Sequence, residues 1–339
     1  MRVRGASVRA LGAIASLLAL VAVLLIDLIL APSFFAFTIR DGRIYGSLID
    51  ILNRAAPIAL IAVGMTLVIA TGGVDLSVGA VMAIGGAVAA CVIARPSDCI
   101  LNGLQLPPTA FYAVAAGLVA AALCGIFNGF LVSRVRVQPI VATLLLMVAG
   151  RGVAQLLTNG QIVTFTDKTL SSLGSGGTLG LPNPLWIAAF VALAVGILCR
   201  RTALGLFVEA TGENEEAARI AGLRTRAIIG FAYVLCAVCA GLAGILAAAD
   251  IRAADANNAG LYAELDAILA VAIGGTAMTG GRFSLAGTLI GAVLMQTVTT
   301  TILTRGVSAE LTFVLKALIV IGVCLLQSPV LRSRLRNPA

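Results

Sequence analysis

The sequence predicts an all-α, polytopic integral membrane protein of about ten transmembrane helices, some broken or re-entrant. Three observations lead there. Of 339 residues, 60% are hydrophobic and only 11% are charged, whereas a soluble domain carries roughly 25% charged residues. The apolar residues come in long blocks near the ~20 residues that a helix needs to cross the hydrocarbon core. Arginine and lysine are distributed unequally between the segments joining those blocks, as the positive-inside rule requires.

The apolar runs lie at about 11–31, 55–71, 76–94, 109–132, 139–157, 181–199, 227–248, 265–279, 284–303 and 310–327. The first follows Arg2, Arg4 and Arg9. It is too long for a signal peptide and lacks a clean cleavage site, so it reads as a retained helix. Between the second and third runs stands Gly72-Gly73-Val74-Asp75-Leu76-Ser77-Val78-Gly79. Paired glycines loosen a helix, and an aspartate is costly in lipid. The segment reads either as a discontinuous helix beside a transport route or as a tight turn with Asp75 capping the next helix. A similar pattern recurs at Gly274-Gly275 and Gly280-Gly281 and hints at two related halves. Gly125 with Gly129, and Gly287 with Gly291, have the small-xxx-small spacing of packed membrane helices.

With ten spans and both termini in the cytoplasm, fourteen of the 23 Lys and Arg fall on the cytoplasmic side and seven on the other. This accounts for the net charge of +8 without nucleic acid. Residues 1–339 form one membrane domain. Its extramembrane parts are a basic cytoplasmic N-terminus (1–10), a cytoplasmic loop (200–226), a loop on the opposite, periplasmic side (249–264) and a cytoplasmic tail (328–339). The segment 171–177, rich in Ser and Gly, reads as flexible loop.

Composition also removes whole classes of chemistry. Histidine is absent, which excludes Ser-His-Asp triads and His-ligated zinc. Lys168 follows Asp167 and Lys316 precedes Ala317, so neither lysine completes a phosphate-binding Gly-Lys-Ser/Thr. Any ATP must be bound by another chain. The seven cysteines are scattered and imply no disulfide framework. Cys236 and Cys239 share a helical face but read as packing. Cys99 alone sits in a polar loop. No metal site and no catalytic residue is expected.

Several polar residues remain as functional candidates. Asp75, Ser77, Asn128, Arg151 and Gln155 lie within or between apolar runs, and such groups face a bundle interior or a wet cavity. Arg151 and Gln155 share a helical face. Asp27 and Lys316 lie near span ends, read as interfacial, and receive no function. The loop before the seventh run contains Glu213-Asn214-Glu215-Glu216-Ala217-Ala218-Arg219-Ile220-Ala221-Gly222. Asn214 suits an N-cap, Glu215 and Glu216 suit the positive helix start, and Gly222 suits the stop. A short helix of about two turns with a small-residue face is suited to docking in a partner's groove.

Glu216-Ala217-Ala218 with Gly222 resembles the coupling loop of ABC importer permeases. The segment 72–79, Gln138-Pro139 with Arg151-Gly152, and Glu264-Leu265-Asp266-Ala267-Ile268 through Gly274-Gly275 look like the ribose-type sugar permease family, over about 48–328. Two further stretches, Asp41-Gly42-Arg43 through Asp50-Ile51-Leu52-Asn53-Arg54-Ala55-Ala56-Pro57 and Ala249 through Gly260, look like its galactofuranose subfamily.

The resemblance implies a ribose-type ABC permease fold and a non-catalytic subunit of the bacterial inner membrane. Its partners would be a cytoplasmic ATPase with two nucleotide sites, which binds ATP and Mg²⁺, a second related permease chain and a periplasmic sugar-binding protein. Glu213, Asn214, Glu215, Glu216, Ala217, Ala218 and Gly222 would couple to the ATPase. Asp75, Ser77, Asn128, Arg151 and Gln155 would line or shape the path. Asp250, Arg252, Asp255, Asn257, Asn258 and Glu264 would form the periplasmic entrance, and Gly72, Gly73, Gly274 and Gly275 the helix breaks. The rivals are import of ribose or another sugar, an ion-coupled transporter using Asp75, and an enzyme on lipid-linked sugars. The last lacks any acidic cluster at one interface.

Overall fold

The structure is a computed structural model. It describes residues 2–30, 32–40, 43–95, 99–306, 311–312, 314–318 and 321. Most of the tenth apolar run and the whole tail 328–339 lie outside the described residues. Twelve α-helices occur among the described residues: α1 Arg2–Leu30, α2 Ser47–Ala70, α3 Val78–Ala94, α4 Ala110–Phe130, α5 Pro139–Leu157, α6 Lys168–Ser175, α7 Asn183–Arg201, α8 Leu204–Glu213, α9 Glu215–Ile220, α10 Thr225–Ile251, α11 Ala263–Ile273 and α12 Leu285–Thr304. Six regions are helical, long and apolar enough to cross a membrane: α2, α4 with the π-helical turn Leu131–Val135 that continues it, α5, α7, α10 and α12. Shorter apolar helices cover Ile14–Ile29 and α3.

α10 is the central post and packs against α4, α2 and α3. In the most apolar window of α2, 72% of residues are buried, against 22% in α4, α5 and α7. The peripheral helices therefore turn bulky apolar side chains outward, such as Phe190, Val148 and Leu123, where lipid rather than water receives them. Because lipid is as apolar as a core, helix association depends on close packing. Glycines supply it. A Cβ on Gly64 would lie 2.6 Å from Cys236 Cα, and one on Gly85 would lie 2.8 Å from Gly241 Cα. Gly125 and Gly129 of α4 face α10, and Gly287 and Gly291 of α12 face Gly274 and Ala270 at α11.

Short antiparallel ribbons close one end of the bundle: β1 Thr38–Arg40 with β2 Arg43–Tyr45, β3 Val163–Thr164 with β6 Ala253–Ala254, and β4 Gly177–Thr178 with β5 Leu181–Pro182. Ile44 N donates to Gly180 O (3.1 Å) and Arg43 Nη1 to Ser175 O (3.2 Å), tying the ribbons to α6.

Several expectations need correction. α2 begins at Ser47, well before residue 55, and carries Pro57 within it. The eighth run shrinks to the eleven-residue α11, because the chain breaks at Gly274 and Gly275, the latter at φ 82°. Residues 171–175, read as flexible loop, belong to α6. Asp167 Oδ1 caps that helix by accepting from Leu170 N (2.7 Å), and its buried Leu170 gives it an apolar anchor. Cys99 does sit in a loop, and it is buried there. Asp27 and Lys316 are buried rather than interfacial. Asp27 accepts from Thr301 Oγ1 (2.6 Å), with Arg305 at 3.8 Å, which ties α1 to α12. Lys316 Nζ holds both carboxylate oxygens of Asp266 (3.1 and 3.0 Å).

Candidate functional site

The end opposite the ribbons is where the chain's breaks meet. Gly281 N donates to Ala70 O at the end of α2 (2.8 Å). Gly72, Gly280 and Gly281 have φ of 86°, 93° and 88°, a region costly for residues with a Cβ. A Cβ on Gly280 would stand 2.7 Å from Gly212 O and 3.1 Å from Gly72 Cα. The two glycine pairs and the C-terminal end of α8 therefore form one contact.

Asn214 joins α8 to α9. Its Oδ1 accepts from Ala217 N (2.9 Å) and caps α9, while Gly222 leaves the helix at φ 88°. Glu216 and Arg219 form an exposed ion pair at 2.5 Å. Hydrogen bonds from Arg219 hold the Glu216 carboxyl below the usual glutamate range. Ala218 is buried, whereas Ala217, Ala221 and Gly222 are exposed together with Ile220 at 75%. Ile220 is part of this face although the sequence reading passed over it.

The five expected path residues split into two groups. Asp75, Ser77 and Asn128 form a sealed cluster in the break between α2 and α3. Asp75 Oδ1 accepts from Ser77 N (2.9 Å) and Ser77 Oγ (2.6 Å), and Asn128 Nδ2 donates to Ser77 Oγ (2.8 Å). Asp75 thus stabilises the break locally instead of capping α3 by the usual N-cap bond. Tyr233 of α10 donates to Val74 O (3.4 Å) above it. Arg151 and Gln155 instead reach the loop after α10. Arg151 Nη1 donates to Ala256 O (3.1 Å) and Ala259 O (2.6 Å), and Gln155 Nε2 to Asn257 Oδ1 (2.7 Å).

Toward the ribbon end lies a cavity of about 810 Å³, within the ~300–1,000 Å³ typical of ligand sites. None of those five residues lines it. Its inner wall is apolar and small, with Ile58, Met82, Ala83, Gly86, Ala87 and Gly244. Its polar lining comes from α2 (Ser47, Asp50, Asn53, Arg54), from the end of α10 (Asp250), from the following loop (Asp255, Asn258) and from α12 (Gln296, Thr299, Thr300). Asp266 and Lys316 complete it. Of the expected entrance residues, Asp250, Asp255 and Asn258 line the cavity, while Arg252, Asn257 and Glu264 do not. Glu264 is buried beside Gly79, and Arg252 ends α10 at φ 55°. The sequence contained a signal for the α2 face: Asp50, Asn53, Arg54 and Pro57 recur at helical spacing just ahead of an apolar run.

Comparison with known proteins decides what this bundle belongs to. Residues 47–324 match the family described as Branched-chain amino acid transport system / permease component. The chain belongs to this permease family. It is 53% identical over 312 residues to the galactofuranose transporter permease protein of Escherichia coli, spanning 92% of this chain and 88% of that one. The fructose import permease protein of Bifidobacterium longum is 38% identical, with 95% and 89% covered. The ribose import permease protein of Escherichia coli is 38% identical, with 90% of each covered. No solved structure matches the chain. As a permease, the chain is a multi-pass membrane protein, and the matched residues 47–324 include the breaks, α9 and the residues that line the cavity.

Proposed function

We propose that this permease is the membrane subunit of an ATP-driven sugar importer of the bacterial inner membrane, with galactofuranose as its sugar. The observation that carries the reading is the 53% identity to a galactofuranose transporter permease over 92% of the chain. The fructose and ribose relatives at 38% support the same transport of a different monosaccharide as the second reading.

In this reading both termini are cytoplasmic, α9 faces the cytoplasm and the ribbon end faces the periplasm. A periplasmic binding protein delivers the sugar at the ribbons. A second, related permease chain completes the route. A cytoplasmic ATPase with two nucleotide sites binds ATP and Mg²⁺ and supplies the free energy. α9 docks in a groove of that ATPase through Glu216, Ala217, Ile220 and Ala221, with Glu213, Asn214, Glu215 and Gly222 fixing its ends. When the groove moves, α9 carries α8 with it. α8 abuts Ala70 and Gly281, so the motion reaches α2 and α12 together. Those helices wall the cavity, and the cavity is thereby exposed to alternate sides. The Asp75, Ser77 and Asn128 cluster keeps the break rigid enough to transmit that motion.

The test is gentle purification of the tagged chain from native membranes, followed by reconstitution. Co-purification of an ATPase and a second permease, with ATP-dependent uptake of labelled galactose, is the expected result. A chain that purifies alone and moves solute under a proton gradient would overturn the reading.

A further inference from the structure

The polar groups around the cavity differ in one respect: some are already engaged and some are not. Asp255 accepts from Asn257 N (3.0 Å), Asn258 N (3.2 Å) and Asn258 Nδ2 (2.7 Å). Asp266 is held by Lys316, Thr299 Oγ1 donates to Met295 O (2.8 Å), and Gln296 Nε2 donates to Thr300 Oγ1 (3.2 Å). In contrast, the side chains of Asp50, Asn53, Arg54 and Asp250 make no hydrogen bond and no ion pair among the described residues. Asn53 Oδ1 is fully shielded from solvent and still lacks a partner. Pro57, one turn on, has no N–H to give the Asn53 carbonyl. Asp50, Arg54 and Asp250 are exposed and solvated, with only a long-range attraction between Arg54 and Asp250, so a ligand can replace their water, while Asn53 Oδ1 is the one unmet atom. Polar groups converging on a cavity around such an atom mark a ligand site.

We propose that Asp50, Asn53, Arg54 and Asp250 form a hydroxyl-reading site, through which this permease itself selects an uncharged monosaccharide. The inference rests on the sugar-import reading and adds residues and a ligand charge to it. Each sugar hydroxyl both donates and accepts. The site offers donors at Asn53 Nδ2 and Arg54, and acceptors at Asp50, Asp250 and Asn53 Oδ1, so it matches that dual character. The small-residue wall of Ala83, Gly86, Ala87 and Gly244 leaves a flat apolar surface for the ring's C–H face. The charge balance sets the selectivity. Four carboxylates (Asp50, Asp250, Asp255, Asp266) line the cavity against two cations (Arg54, Lys316). A uronate or sugar phosphate meets net negative charge and is disfavoured.

Two measurements on the full importer complex test this. In the first, Ser47→Cys and Thr300→Cys are labelled with a membrane-impermeant maleimide in the presence of galactose, ribose, galacturonate or galactose 6-phosphate. Galactose or ribose is expected to slow labelling at least about fivefold, and the two anions are expected to have no effect. Absence of protection by any neutral sugar, or equal protection by the anions, overturns the proposal. In the second, the KM for galactose uptake is expected to rise about tenfold in Asn53→Leu, the loss of neutral hydrogen bonds, and about tenfold to hundredfold in Asp250→Asn, the loss of a charge-assisted one. ATPase stimulation by the binding protein should stay intact. Unchanged KM in both variants also overturns it. The footprint is read without ATP, so failure of the importer reading shows separately, as a missing ATPase beside an intact footprint.

Discussion

Replacing Gly125 by alanine probes the packing that positions every other element. Gly125 of α4 faces α10, where a Cβ would lie 2.7 Å from Val234 Cα, 2.8 Å from Ala237 Cβ and 2.9 Å from Tyr233 O. Comfortable carbon contacts begin near ~3.5 Å. None of these atoms is the end of a flexible side chain, so relief requires α4 and α10 to separate. Overpacking of this kind costs about 1–3 kcal/mol, against a helix-propensity gain of ~1 kcal/mol for glycine to alanine. Gly196 of α7 is the control, because nothing lies within 4 Å of its added Cβ. There the substitution only gains. The two variants should differ by about 1–3 kcal/mol, and each kcal/mol shifts Tm by roughly 2–4 °C in a chain of a few hundred residues. Thermal unfolding of the detergent-purified protein reads this directly. Gly125→Ala is expected to melt several degrees below Gly196→Ala. Equal or higher Tm for Gly125→Ala would refute the reasoning that backbone proximity of α4 and α10 organises the bundle.

Four further outcomes are expected. Glu216→Lys should abolish ATP-coupled uptake while the protein still inserts at wild-type level; undiminished uptake would remove α9 from the coupling. The Glu216 carboxyl is held below its ordinary range by Arg219, so the pair is complete above that range and fades only as pH falls through the lowered value. Coupling should therefore survive from about pH 7 to about pH 5; a wild-type loss across that window that Glu216→Gln does not share would contradict it. Lys316→Met leaves the Asp266 carboxylate in a half-buried place without its partner and should cost up to about 3 kcal/mol, with Tm restored in the double variant Lys316→Met, Asp266→Leu. Arg151→Met removes the donor to Ala256 O and Ala259 O, so limited proteolysis between residues 254 and 260 should accelerate without loss of α10 protection by hydrogen exchange.

The helices were legible because apolar length and arginine placement are local properties, and nine of the ten runs have described helices beneath them. α9 was legible for the same reason: Asn214, Glu215, Glu216 and Gly222 are start and stop signals that act on their own segment. The Asp75, Ser77 and Asn128 cluster was legible only in part. Polarity in an apolar run says that a residue avoids lipid, but two environments satisfy that rule, a route through the protein and a sealed interior, and Asn128 lies far from Asp75 in sequence. The cavity was least legible. Its polar lining is drawn from α2, α10, α11, α12 and the loop between α10 and α11; the α2 and loop stretches stand out in the sequence, but nothing local says that they meet across one cavity.

The position of the two glycine pairs joins these levels. Their spacing in sequence gives a weak repeat, yet in three dimensions Gly72 meets Gly280, and Gly281 N bonds Ala70 O. Positive φ at Gly72, Gly275, Gly280 and Gly281 lets both broken helices end at one point, and Gly212 of α8 closes it. A Cβ on Gly212 would collide with Ala70 O and hold α8 away from α2, and one on Gly280 would lie 2.7 Å from Gly212 O. In the coupling proposed above, these glycines are where a displacement of α9 would enter the helices that wall the cavity, which would make the helix breaks and the cavity two ends of one device.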